Sequence, residues 1–223
     1  MELDSMNKTN PAYKGRFISL EGCDGCGKST QAGLLKTRLE ELGISVVMTR
    51  EPGGTPTGEM IRDMLQHHAT GENITPAAEV LLFAASRAQH VTNIIRPALE
   101  QGHWVICDRF VDSSLAYQAG GRGIELEQVL AVNEYALDGC WPDMTLWFDV
   151  PLETALERMK DRGAHPDRFE AEAGSFHRRV AEMYGVLHKR FEDRIFRLDA
   201  GKSIEEVSEQ VNACLRTNSG VDL

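Results

Sequence analysis

Short apolar, β-branched runs alternate along the chain with longer stretches of helical period. Residues 16–20 (RFISL) predict a strand that enters a Gly-rich loop. Residues 30–42 predict a helix with Leu34, Leu35, Leu39 and Leu42 on one side and Gly43 as its stop. A second strand over 44–49 leads into REPGGTPTG, which is too dense in Gly and Pro for regular structure. A short helix over 59–67 follows, then a long one over 76–101 that bends, or starts its last turn, at Pro97. The third strand, 104–107, ends at Asp108. In the next segment, SLAYQAGGRG, the glycines predict backbone near a ligand or a sharp turn. A helix over 126–137, a strand over 144–150 and a helix over 152–160 come next. The polar loop DRGAHPDR then precedes a helix over 172–194, a strand over 195–198 and a closing helix over 204–215.

This alternation predicts an α/β fold: a five-stranded parallel sheet covered by helices on both faces. No repeat or linker divides the chain, so residues 15–223 are read as one domain and residues 1–14 as a flexible polar extension.

Composition narrows the function classes. A net charge of −10 argues against nucleic acid as a partner. An anionic small substrate remains open, because screening leaves a local cluster of Arg and Lys in control of a cleft. No run approaches the roughly 18 apolar residues of a membrane span, and the polar start lacks the apolar core of a secretory signal. The five cysteines are odd in number and form no framework, so reduced thiols and a cytoplasmic location are expected.

The chemistry concentrates in EGCDGCGKST, which lies between the first strand and the first helix. Cys23 and Cys26 have the spacing of a zinc hook or a redox pair. Zinc needs four ligands, and no second Cys or His pair stands at suitable spacing. A redox motif has no use for the GKS behind it, so the two cysteines are read as loop fillers. Gly22, Cys23, Asp24, Gly25, Cys26, Gly27, Lys28, Ser29 and Thr30 instead span a phosphate-binding loop. Glycines there let backbone N–H groups converge on phosphate oxygens, and the helix N-terminus adds positive potential. Lys28 is expected to reach the β- and γ-phosphates of ATP, and Ser29 to offer its hydroxyl to Mg²⁺. Asp108 could hold Mg²⁺ through water and Arg109 could clamp an acceptor phosphate; the bland alternative is a structural Asp–Arg pair.

A phosphate-binding loop alone fits kinases, GTPases and motor ATPases, but the NKxD segment of a GTPase is absent. The segments EGCDGCGKST, TREPGGT, LLFAASRAQH, WVICDRFVDSSLAYQAGGRG, WPDMTLWFDV and RMKDRGAHPDRFE, spread from Glu21 to Glu170, together resemble the thymidylate kinases of bacterial type. The resemblance implies transfer of the γ-phosphoryl group of ATP to dTMP for dTTP synthesis, with a P-loop fold, a mobile lid over about 158–170 and a homodimer. It implies that Asp24 contacts the sugar 3′-hydroxyl, that Arg50 and Arg109 hold the acceptor phosphate, and that Phe83 stacks on thymine. Arg87 would donate to thymine O4. Ser114 and Gln118 would sit at the base edge, and Tyr117 would crowd the sugar 2′ position. Phe83 and Arg87 are four apart on one helix and share a face, as stacking and edge recognition of one base require. Some members carry an Arg inside the phosphate loop; Gly25 and Cys26 stand here instead, so the lid must supply that charge. Arg162 is the first candidate and Arg158 the second. The histidines are read as surface residues. A kinase for UMP, CMP or AMP, and a non-catalytic nucleotide-binding module, remain as rivals.

Overall fold

The computed structural model describes residues 13–67, 72–160, 167–219 and 221. Five strands form one parallel sheet: β1 (Phe17–Glu21), β2 (Val46–Arg50), β3 (Trp104–Asp108), β4 (Met144–Asp149) and β5 (Ile195–Asp199), in the order β2-β3-β1-β4-β5. β1 is central and all its side chains are buried. Period-2 alternation decides which layer each joins. Ile18 and Leu20 pack with α1 (Lys28–Glu41) and α9 (Ile204–Ser219) through Leu35, Leu39, Val211 and Leu215. Phe17 points to the opposite face, where α3 (Pro76–His90), α6 (Leu126–Leu137) and α8 (Gly174–Arg190) cover the sheet. Ser19 and Glu21 share that second face and are fully buried polar groups. The expected two-faced α/β architecture is the one observed.

Where element ends differ from expectation, local chemistry explains it. α2 (Pro56–His67) starts three residues early, because Pro56 suits a first helical turn and Thr55 Oγ1 accepts from Gly58 N at 3.0 Å. The long helix expected to end near residue 101 is continuous but widens to a π turn at Val91–Ile95 before α4 (Arg96–Glu100). Pro97 has no N–H to offer the preceding turn, and a wider turn absorbs that loss. α8 is shorter than the expected 172–194, because residues beyond Arg190 turn back into β5.

The SLAYQAGGRG segment forms the short α5 (Val111–Ser114) and a π-helical stretch, Leu115–Gly121. Gly123, with φ 74°, makes the expected turn at its end, while Gly120 and Gly121 answer to packing. A Cβ on Gly120 would lie 2.6 Å from Met183 Cβ, and one on Gly121 would enter the Phe176 ring, so both are small to admit α8. The surface reading of the histidines fails at His90, which is wholly buried. Its ring nitrogens bond Glu51 Oε1 at 3.0 Å and Thr49 Oγ1 at 2.6 Å, which satisfies a carboxylate beneath the REPGG loop. α7 (Leu152–Lys160) leads toward the expected lid. Arg162 lies outside the described residues.

Candidate active site

β1 and β3 are neighbours in register, with Leu20 opposite Asp108, so both following loops open on one sheet edge. That edge is where ligands bind in open parallel sheets. The first loop spans residues 22–27, and the sequence there leaves no choice of residue. Gly22 has φ 137°, and a Cβ on it would stand 2.6 Å from Phe148 O. Gly25 has φ 79°, and a Cβ on it would overlap Ala155 O of α7. An Arg in the loop at position 25 therefore has no room in this conformation.

Lys28 opens α1 and its ammonium turns back over the loop, donating to Gly22 O at 3.1 Å and Cys23 O at 2.9 Å. Ser29 Oγ donates to Asp108 Oδ2 at 3.1 Å, which brings together the two groups assigned to Mg²⁺. A hydroxyl beside a carboxylate is the hard oxygen donor set that this ion prefers.

Arg109 follows β3 with φ 66°, left-handed backbone that a residue with a Cβ rarely adopts. Its N–H extends the sheet by bonding Leu20 O at 2.9 Å. The turn throws the guanidinium across to the phosphate loop, where it donates to Gly22 O at 2.8 Å and to Asp24 Oδ1 at 2.7 Å. It also lies over the Tyr117 ring at 5.1 Å. Burial works against the Asp24 carboxylate, but Arg109 and Lys28 outweigh it and hold the group well below the ordinary range. Asp24 is thus a fixed anion and Arg109 a fixed cation at the mouth of the loop.

A cleft of about 200 Å³ opens here, lined by Asp24, Lys28, Arg50, Phe83, Arg109, Ser114, Tyr117 and Gln118 among others. Apart from Arg87 and Arg162, the residues expected to meet the acceptor converge on it. Arg50 is also paired with Glu59, at 2.9 Å. The Tyr117 hydroxyl is buried and has no hydrogen-bond partner among the described residues, and the same holds for Gln118 Oε1. Buried polar atoms are rarely left so, and on a cleft wall they are what an incoming ligand satisfies.

Phe83 lies on the wall, but Arg87, one turn away, does not. Arg87 is only 1% exposed and directs its donors to Glu51, Ser114, Asn133 and Phe110 O. Shared helical face did not imply shared exposure, because α6 brings Asn133 over the Arg side.

Sequence reasoning missed several groups. Arg62, Gln66, Ser113, Asp167 and Phe169 also line the cleft. Glu79, in the first turn of α3, is fully buried and accepts from Gln118, Arg122 and Arg168. Arg168 falls within the expected lid; in this structure it donates to Glu79 at 2.5 Å and to Leu65 O at 2.8 Å. The buried Glu ahead of basic residues far along the chain left no local signal.

Glu21, at the end of β1, was read only as part of the loop motif. It accepts from Phe110 N at 2.7 Å, Ser113 Oγ at 2.5 Å and Tyr184 Oη at 2.9 Å. Burial, and then the nearby Asp112, push its carboxyl up from 4.5 to about 7. A carboxyl raised on folding contributes stability that is fully present below its unfolded value and is lost as pH rises through its folded one. The stability advantage of the wild type over Glu21→Gln should therefore shrink between pH 5 and pH 8, by roughly 1–3 kcal/mol. Urea unfolding at both pH values measures this; an advantage that grows with pH would contradict it.

A second cavity, about 370 Å³, adjoins the loop on the α9 side and is lined by Cys26, Thr30, Gln31, Arg158, Lys202 and Ser203 among others. Arg158 Nη1 donates to Ala200 O at 3.0 Å there. No described helix is long and apolar enough to cross a membrane, and no group of three or more His, Cys, Asp or Glu among the described residues is arranged to hold a metal ion.

Comparison with known proteins agrees with this geometry. Residues 20–211 match the sequence profile of the family described as Thymidylate kinase. The chain is 50% identical to the thymidylate kinase of Alkalilimnicola ehrlichii, over 87% of this chain and 89% of that one. It is 50% identical to that of Halothermothrix orenii, over 89% and 95% of the two chains. It is 48% identical to that of an Exiguobacterium species, over 88% and 92%. With this similarity spanning strand, loop, cleft and closing helix alike, the chain belongs to the thymidylate kinase family.

Proposed function

We infer that the chain transfers the γ-phosphoryl group of ATP to dTMP, giving dTDP and ADP. The observation that carries this is one cleft joining a phosphate loop to an aromatic and amide wall that includes Phe83, Tyr117 and Gln118. ATP would lie with its phosphates on the loop N–H groups and its base end in the second cavity.

The mechanism needs no general base. The second pKa of a phosphate monoester is about 6, so the acceptor is already a dianionic nucleophile near neutral pH. The work left to the protein is alignment and charge neutralisation. Lys28 would exchange the neutral carbonyls of Gly22 and Cys23 for phosphate oxygens, which are stronger acceptors. Arg109 and Arg50 would hold the acceptor phosphate, and Asp24, kept ionised, would accept from the sugar 3′-hydroxyl. Ser29 and Asp108 would hold Mg²⁺, which supplies Lewis-acid neutralisation of phosphate charge when bound. Phe83 would stack on thymine. Arg87 would reach O4 by sharing a donor now on Ser114 or Asn133, and Ser114 and Gln118 would complete the base edge.

The charge that closes over the phosphates is assigned to Arg162, with Arg158 as the second candidate. Unchanged turnover in Arg162→Ala would remove that assignment. Homodimerisation is part of the same reading: Leu81 of α3 and Tyr135 of α6, on adjoining helices, are 59% and 90% exposed. Light scattering should read twice the monomer mass, and a monomer at working concentration would exclude it. The five free thiols fit a reducing, cytoplasmic setting.

A coupled ADP-release assay with Mg-ATP and dTMP tests the function; ATP binding without turnover would favour a non-catalytic module.

A further inference from the structure

The phosphate loop carries a chemistry that phosphoryl transfer leaves unused. Cys23 and Cys26 flank the turn at Asp24 and Gly25. A four-residue turn brings its end Cα atoms within about 7 Å, the reach of a disulfide. The two side chains pack in one apolar cluster beneath the loop, and both are free thiols. Lys28 Nζ lies 3.6 Å from Cys26 Sγ. Burial would push the Cys26 thiol up, but the neighbouring Cys23 thiol and the Lys28 charge outweigh it and hold the group below its ordinary value. Cys23 is pushed up, first by the Cys26 sulfur and then by burial. A thiolate-leaning sulfur beside a protonated partner is the arrangement of an attacking and a resolving thiol. Cys26 is 2% exposed, yet it forms part of the wall of the second cavity, which Arg158 and Lys202 also line.

We propose that Cys23 and Cys26 form a thiol–disulfide modification site, entered through the basic second cavity, that reacts with small anionic disulfides and closes to an intraloop disulfide. Cys26 sulfur, as thiolate, attacks one sulfur of R–S–S–R; a new S–S bond forms in the mixed disulfide Cys26–S–S–R, the S–S bond of the reagent breaks and R–S⁻ leaves. Cys23 then loses its proton to that base or to solvent, and its sulfur attacks Cys26 Sγ. The Cys23–Cys26 bond forms and the second R–S⁻ leaves. The two cysteines are oxidised by two electrons, and the small disulfide is reduced to two thiols.

A disulfide holds its Cβ atoms about 3.5–4.5 Å apart and its dihedral near 90°, so closing it pins the turn to one geometry. Displacing phosphate-binding groups by about 1 Å can cost on the order of a hundredfold in rate. The loss of activity rests on the phosphate-loop reading; the disulfide itself does not.

The test treats reduced protein with oxidised glutathione, with and without saturating ADP, and reads peptide mass, titratable thiols and turnover. Expected are a Cys23–Cys26 cross-linked peptide, loss of two of the five thiols, and a fall in turnover of about a hundredfold. Dithiothreitol should reverse all three, and ADP should slow them. Cys23→Ser should stop at a glutathione adduct on Cys26, and Cys26→Ser should form no cross-link, each compared with its own reduced form. Reduced protein that binds ADP yet keeps both thiols would overturn the site. So would a cross-link that leaves turnover intact, or an ADP-sensitive loss that maps to Cys214. Reduced protein that does not bind ADP, but still forms the cross-link, would instead sink the phosphate-loop reading.

Discussion

Lys28→Ala is expected to lower kcat by about a thousandfold while leaving the chain folded. The size follows from what the ammonium does. It stands at the first residue of α1, above a loop whose N–H groups are fixed by Gly22, Gly25 and Gly27, all with positive φ. Its partners in this structure are the Gly22 and Cys23 carbonyls and Cys26 Sγ, and what these bonds contribute is offset by the cost of holding an ammonium out of water. Removing it therefore costs little stability. In the transition state it would meet charge spread over phosphoryl oxygens, in a cleft where Lys28 itself is 6% exposed. Water there cannot substitute for it. Urea unfolding alongside single-turnover kinetics separates the two effects. A kcat within tenfold of wild type would mean that Lys28 is a structural clasp for the loop.

Arg109→Ala is expected to lower kcat/KM for dTMP by about a thousandfold, with both KM and kcat affected. Here the group also organises the site before substrate arrives. It bridges β3 to the phosphate loop through Gly22 O and Asp24, bonds Ser113 Oγ at 3.2 Å and covers Tyr117. Loss of the guanidinium leaves the Asp24 carboxylate without its cation, so that carboxyl should rise toward the ordinary range. Arg109→Lys should recover only part of the loss, because an ammonium cannot span Gly22 O, Asp24 and Ser113 as a planar fork does. A full rescue by Lys would show that charge alone matters at this position and that the bridging geometry is incidental.

Most of the fold was legible because its determinants are local. Strand β1 is buried on both sides and reads as a short apolar run broken only by Ser19, and Gly43, with φ 77°, marks the end of α1 by its own backbone chemistry. The phosphate loop was legible for the same reason. The cleft was legible where a motif fixes both a backbone turn and a side chain, as at Asp108 and Arg109. It was obscure where the determinant is a tertiary neighbour. Glu79, Gln118 and Arg168 meet across 39 and 89 residues of chain, and no local pattern announces a carboxylate at their centre. Arg87 was obscure for the same reason: its spacing from Phe83 is local, but its burial against Asn133 and Ser114 is not. His90 is the same lesson in the apolar layer, where a buried Glu51 requires a donor that composition cannot reveal.

The most direct test of the account is ADP release with Mg-ATP and a panel of acceptors: dTMP, dUMP, UMP, CMP and AMP. The expected result is strong preference for dTMP, since in the proposed roles Phe83 and Gln118 would read the base and Tyr117 would crowd the sugar 2′ position. Equal or faster turnover of a ribonucleotide would contradict the assignment of that wall, and no turnover with any acceptor would contradict the kinase itself.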